Sequence, residues 1–127
     1  MRKILLLVLV MICACHSIQK LTTENGSVLI KKTMSNHDST MIIGSINELS
    51  TGDHLKLSDI WFGDQRFPCD TNGNFTIQLI PGTYTIEARA MNFKNFKHVF
   101  VAKKGDVINL TYYLAAFKTN TPYYFIH

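Results

Sequence analysis

The sequence predicts an all-β fold, an antiparallel sandwich of about seven strands, on three observations. From Thr40 onward the apolar residues come in short runs, each bounded by Gly, Asn, Asp or Pro. Turn signals recur every eight to twelve residues, the spacing of strands folded back on one another. No stretch beyond Thr40 sustains the i, i+3, i+4 recurrence of apolar residues that marks a helix.

The predicted strands, in order, are residues 40–47, 56–63, 65–70, 74–80, 83–91, 95–102 and 106–114. The first, TMIIGSIN, is rich in β-branched residues. The second carries Trp61 and Phe62 side by side; neighbours on a strand face opposite sides, so one of the two must point inward. The strand boundaries between residues 49 and 66 are the least defined. The third and fourth strands flank the most informative turn, in the stretch CDTNGNF (residues 69–75). A two-residue loop at Asn72 and Gly73 would set Asp70 opposite Phe75 and turn Phe67 and Cys69 to the polar side. A three-residue loop, Thr71 to Gly73, closed by a left-handed Gly73, sets Cys69 opposite Phe75 and Phe67 opposite Ile77. Past a turn at Pro81 and Gly82, Leu79 then opposes Tyr84, Ile77 opposes Ile86 and Phe75 opposes Ala88. The predicted core is therefore Phe67, Cys69, Phe75, Ile77, Leu79, Tyr84, Ile86 and Ala88, one continuous face on three paired strands.

The same stretch fails as a calcium loop. Counting from Asp70, Asn72 and Asn74 fall at the third and fifth positions, but the sixth and twelfth are Phe75 and Pro81 where an EF-type loop needs Gly and Glu. One carboxylate also supplies too few oxygens and too little charge. Asp70 is expected instead to accept hydrogen bonds from the turn's own amides.

The order Gly44-Ser45-Ile46-Asn47-Glu48, Thr51-Gly52-Asp53-His54-Leu55, Asp70-Thr71-Asn72-Gly73-Asn74-Phe75 and Pro81-Gly82-Thr83-Tyr84 resembles the carboxypeptidase regulatory-like domain over residues 39–115. The resemblance implies a transthyretin-like Greek-key β-sandwich with an accessory, non-catalytic role beside peptidases, outer-membrane receptors or surface proteins. Family members usually carry a Gly-aromatic pair after the Tyr strand, where this chain has Asn92-Phe93; Asn tolerates a left-handed backbone, so the turn can survive.

Residues 1–14 read as an export signal. Arg2 and Lys3 precede the apolar run ILLLVLVMI, too short to span a bilayer as a helix. The run ends in ICAC, which resembles the bacterial lipobox with Cys15 as the lipidated residue, an implied anchor of acyl chains on the membrane. An ordinary secretory signal is the alternative, though a small-residue cleavage site is missing. His16 stands where Asp would argue for inner-membrane retention, which points to the outer membrane. Residues 15–38, polar apart from SVLI at 27–30, are expected to be the lipidated N-terminus and a tether, SVLI docking as an edge strand. Removal of Arg2 and Lys3 with the signal leaves eleven basic residues against nine carboxylates, a balance of +2 in place of +4, which implies no nucleic-acid partner.

The residues offer little chemistry of reaction, and neither catalysis nor a cofactor is expected. The five histidines, at 16, 37, 54, 98 and 127, show no metal-binding spacing. Neither a G-x-S-x-G nucleophile turn nor a glycine-rich phosphate loop occurs. His54 beside Asp53 could move a proton, but Gly-Asp-His is more often a polar turn. Cys69 is expected to be a small buried hydrophobe; a disulfide to Cys15 becomes available only if Cys15 is not lipidated. The candidate binding residues are Trp61, Tyr123 and Tyr124, since aromatics present large apolar area at small entropic cost. The tail, residues 116–127, is either a further strand or a binding segment. The expectation is a lipid-anchored envelope module acting through protein contacts, with a glycan-binding module as alternative and a small enzyme third.

Overall fold

A computed structural model describes residues 17–34 and 38–117. The chain folds as an all-β sandwich: nine strands among the described residues lie in two sheets, and no helix occurs among them. The strands are β1 (Ser17–Thr23), β2 (Gly26–Met34), β3 (Thr40–Glu48), β4 (Ser58–Phe62), β5 (Gln65–Pro68), β6 (Asn74–Leu79), β7 (Gly82–Ala90), β8 (Phe96–Ala102) and β9 (Asp106–Leu114). The first sheet runs β1-β2-β9-β3-β6 and the second β5-β4-β7-β8. Each strand inferred beyond Thr40 therefore exists, within a few residues of its expected bounds.

Three expectations need correction. The first concerns strand number and direction. Nine strands replace seven, and β3 runs parallel to β9, Ile42 beside Ile108 and Gly44 beside Leu110. The reason is geometric: β2 and β3 run in opposite directions, and the strand inserted between them must be parallel to one of the two. The second concerns the tether. Residues 17–34 form a β1–β2 hairpin, and SVLI is no edge strand, because β2 lies between β1 and β9 with Val28 and Ile30 in the core. The polar SIQKLTT of β1 hid a strand because an edge strand at the sandwich margin needs only Leu21 to reach the core.

The third correction concerns pairing. β5 and β6 are in different sheets, as are β6 and β7, so none of the five pairs expected around Phe75 and Ile77 forms. Phe67 instead pairs with Ile60, Phe75 with Gly44, Ile77 with Ile42, Ile86 with His98, and Tyr84 with Phe100. A period-two pattern states which side chains face the core. It does not distinguish a neighbour in the same sheet from one across the sandwich.

Burial follows the alternation. Phe75, Ile77, Ile86 and Ala88 are buried, while Phe67, Cys69, Leu79 and Tyr84 are half-buried and pack at the core's margin. β8 alternates without exception, with Phe96, His98, Phe100 and Ala102 inward and Lys97, Val99 and Val101 outward. Gly44 and Gly73 permit close approaches that bear on the core and the β5–β6 corner. A Cβ on Gly44 would collide with the Leu110 carbonyl oxygen and come within 2.7 Å of the Phe75 ring. At Gly73 φ is +75°, and a Cβ would sit 2.8 Å from the Ile46 carbonyl oxygen.

The corners between sheets are held by local hydrogen bonds. Asp70 Oδ1 accepts from the amides of Asn72 and Asn74, both at 2.9 Å, and Gly73 N–H donates to the Asp70 carbonyl at 3.0 Å. This turn moves the chain from β5 in one sheet to β6 in the other. Gly82 opens β7, and the Tyr84 hydroxyl donates back to the Ile80 carbonyl at 2.6 Å, closing the corner at Pro81. Asn92 takes φ +70° in the β7–β8 turn.

Candidate functional site

The outer face of the second sheet is built from the polar halves of its alternating strands. On β4, Ile60 points into the core and Asp59 and Trp61 point out; on β7, Ile86 and Ala88 point in, leaving Glu87 and Arg89 on the other side. Register then collects them, because Trp61 lies opposite Arg66 of β5 on one flank and Glu87 of β7 on the other. Phe62 takes the inward role, packing edge-on against Phe67 and Tyr84 at ring separations of 5.6 Å.

Asp59 is the hub of this face. Its Oδ1 accepts from the Trp61 indole N–H and its Oδ2 from Arg66 Nε, both at 2.8 Å, so the carboxylate fixes the plane of one ring and the position of one guanidinium. Arg89 lies over the Trp61 ring, 4.4 Å from its centroid, and is held by Glu87 Oε1 through Nε and Nη2 at 3.0 and 2.6 Å. Beside these groups opens a groove of about 510 Å³. Lys56, Arg66 and Arg89 line it with Asp59 and Trp61, Cys69 lies in its wall, and Leu57 and Met91 stand at it 68% and 64% exposed.

Sequence reading singled out Trp61 but not the residues that surround it. Arg66, Arg89, Leu57 and Met91 lie on strands β5 and β7 or at strand ends, up to thirty-odd positions apart, and only the register joins them. The usable signal was the alternation in SDIWF, which sends Asp59 and Trp61 to the same side. Tyr123 and Tyr124 lie outside the described residues, as do Cys15 and the signal segment 1–14.

The other candidates are placed elsewhere. His54 is exposed and its Nδ1 lies 2.7 Å from Asn47 Oδ1, in an isolated bridge between the two residues. Asn47 is buried and spends its amide on the Tyr112 carbonyl and Ser45, so the His54 contact fastens a loop to β3. Burial pushes the Cys69 thiol up, a hydrogen bond with Ser58 opposes that, and Asp59 and Asp70 add to the rise; the thiolate is disfavoured. Among the described residues no group of three or more His, Cys, Asp or Glu could hold a metal ion.

Nothing in its local sequence sets His98 apart from the other four histidines. It points between the sheets, its Nε2 2.7 Å from the Tyr112 hydroxyl, with Phe96 and Phe100 on either side along β8. Burial lowers its pKa to about 4 and pushes the Tyr112 phenol well above its ordinary value, so both are neutral at pH 7. The pair is a polar joint between the sheets, with Tyr112 fully buried and His98 keeping a small exposed part.

No protein-family model matches the chain, and no curated protein is significantly similar to it.

Proposed function

We propose that the chain is a non-catalytic module of the cell envelope, lipid-anchored through Cys15 with the outer membrane as its support, which acts through protein contacts. The observation that carries the reading is the groove beside Trp61. It joins an ordered indole and two guanidinium groups to exposed Leu57 and Met91, and Trp, Arg and Met are the residue types that interfaces favour. The lipobox-like ICAC and the resemblance to carboxypeptidase regulatory-like domains, which would make this a transthyretin-like Greek-key sandwich, point the same way.

A glycan ligand is the second reading, favoured by an indole at an open groove. It is weakened by the contacts of that indole. Arg89 already lies over the ring and Asp59 takes its N–H, so a sugar must compete for a platform that is in use.

Chemical cross-linking of the full chain in its native membrane tests the reading. A cross-linked polypeptide that disappears with Leu57→Asp and Met91→Asp together is the expected result. Binding on a glycan array that is lost with Trp61→Ala, with no polypeptide cross-linked, would overturn it. Intact mass of the membrane-extracted chain checks the anchor separately: acyl chains on Cys15 add mass, whereas a disulfide to Cys69 removes two hydrogens.

A further inference from the structure

The groove offers more donors than its carboxylate takes up. Both oxygens of Asp59 are occupied, by Trp61 and by Arg66. Arg66 uses only Nε in that pair, and Arg89 uses Nε and Nη2 on Glu87. Both Nη groups of Arg66 and Nη1 of Arg89 are therefore without a partner among the described residues, and Lys56 makes no ion pair among them. Three cations line the groove beside Asp59, and Glu87, which holds Arg89, is the second carboxylate of this face. A planar guanidinium with open N–H groups matches the fork of a carboxylate.

The apolar component of the groove is as informative as the charge. Leu57 and Met91 leave most of their surface to water, which costs free energy unless something covers it. Met adapts its shape to varied apolar partners. A chain of sugar hydroxyls gains little from such a rim, whereas an aliphatic or aromatic side chain beside a carboxylate uses both halves of the site.

We infer that the groove binds an acidic polypeptide segment, whose Asp or Glu carboxylate seats on Arg66 and Arg89 while a neighbouring apolar side chain lies on Leu57 and Met91. The inference rests on the protein-contact reading above and names the chemistry of the partner. Trp61 contributes by holding Arg89 over its ring, 4.4 Å from the centroid, which restricts where the guanidinium can go. Arg66 and Arg89 sit on strands on either side of β4, and their separation is fixed by sheet register rather than by loop conformation.

The test uses the detergent-extracted full chain and three probes: a fluorescein-labelled octapeptide alternating Glu and Leu, the same peptide with Gln for Glu, and labelled oligogalacturonate as an acidic sugar. Affinity is read by anisotropy, and Trp61, the single tryptophan of the chain, reports occupancy by its own emission. The Glu-Leu peptide should bind, shift Trp61 emission and lose affinity with rising salt; the Gln-Leu peptide should bind about tenfold or more weakly. Arg66→Gln with Arg89→Gln should remove that preference, and Leu57→Ser with Met91→Ser should weaken binding while keeping the preference. Each pair is checked for native circular dichroism, so that loss of binding is not loss of fold. Equal binding of the Glu and Gln peptides, or oligogalacturonate bound as tightly as the Glu-Leu peptide, would overturn the inference.

A photo-cross-linking residue at Met91 in the native membrane separates this failure from failure of the wider reading. A polypeptide captured there while the Glu-Leu peptide gains nothing over its Gln counterpart would overturn only the acidic chemistry. No captured polypeptide and no bound peptide would overturn both.

Discussion

Two aspartates in this chain do the same arithmetic to opposite ends. Asp70 and Asp59 each accept two hydrogen bonds of 2.8 to 2.9 Å. Those to Asp70 come from the amides of Asn72 and Asn74, within four residues, and close a turn on itself. Those to Asp59 come from the Trp61 indole and the Arg66 guanidinium on two strands, and leave further donors facing a groove. A carboxylate that satisfies backbone amides makes architecture, because the groups it orients are main chain already committed to the turn. One that orients side chains makes a surface, because the groups it orients have other faces and other donors.

The largest effect is expected at Gly73, which lies inside the Asp70 turn. Gly73→Val forces a β-branched residue into φ +75° and drives its Cβ against the carbonyl oxygens of Ile46 and Leu55 at 2.8 and 2.9 Å. A loss of about 2 to 4 kcal/mol is expected, read by urea or thermal unfolding. Unchanged thermal stability would show that the corner tolerates another backbone path.

Acidification tests the joint between the two sheets that the Asp70 turn connects. His98 has a pKa of about 4 when folded against 6.5 when exposed, so the unfolded chain takes up the proton first as pH falls. Its contribution is complete above pH 6.5 and is lost as pH drops toward 4. With an allowance for partial exposure the loss is about 2 kcal/mol. Urea unfolding of the parent chain and of His98→Gln at pH 7 and pH 4.5 checks this; the parent should lose more stability than the variant across that interval.

Removing each carboxylate in turn sharpens the contrast. Asp70→Ala should cost about 1 kcal/mol, since two turn amides lose a charged acceptor but can reach water. Binding of the Glu-Leu octapeptide should be unaffected. Asp59→Ala should move stability by no more than about 0.5 kcal/mol, the ordinary worth of an exposed ion pair. It should nonetheless shift Trp61 emission to the red and lower its steady-state anisotropy, because the indole loses its tether. A silent Trp61 spectrum in that variant would count against Asp59 as the organiser of the face.

The positions of the seven strands after Thr40 were legible because alternation, turn residues and strand length are properties of contiguous residues. Trp61 was legible as a candidate for the same reason, whereas alternation says only that one of Trp61 and Phe62 points inward, and packing against Phe67 and Tyr84 makes it Phe62. The hairpin at residues 17–34 was read as a tether because β1 exposes polar side chains on most positions and contributes only Leu21 to the core. Pairing went astray where the chain changes sheets. Phe75 faces the same interior whether Cys69 or Gly44 lies beside it, and no local signal separates the two.

Fold class, the placement of most strands and the chemistry of each turn follow from the order of residues alone, since these depend on neighbours within a few positions. The parallel β3–β9 pair, the polar joint of His98 with Tyr112, and the gathering of Trp61, Arg66 and Arg89 at one groove arise only in the folded chain. Those features depend on which strands become neighbours. That choice is made by the free energy of the whole core, in which every inward-facing apolar residue contributes and no single segment holds the answer.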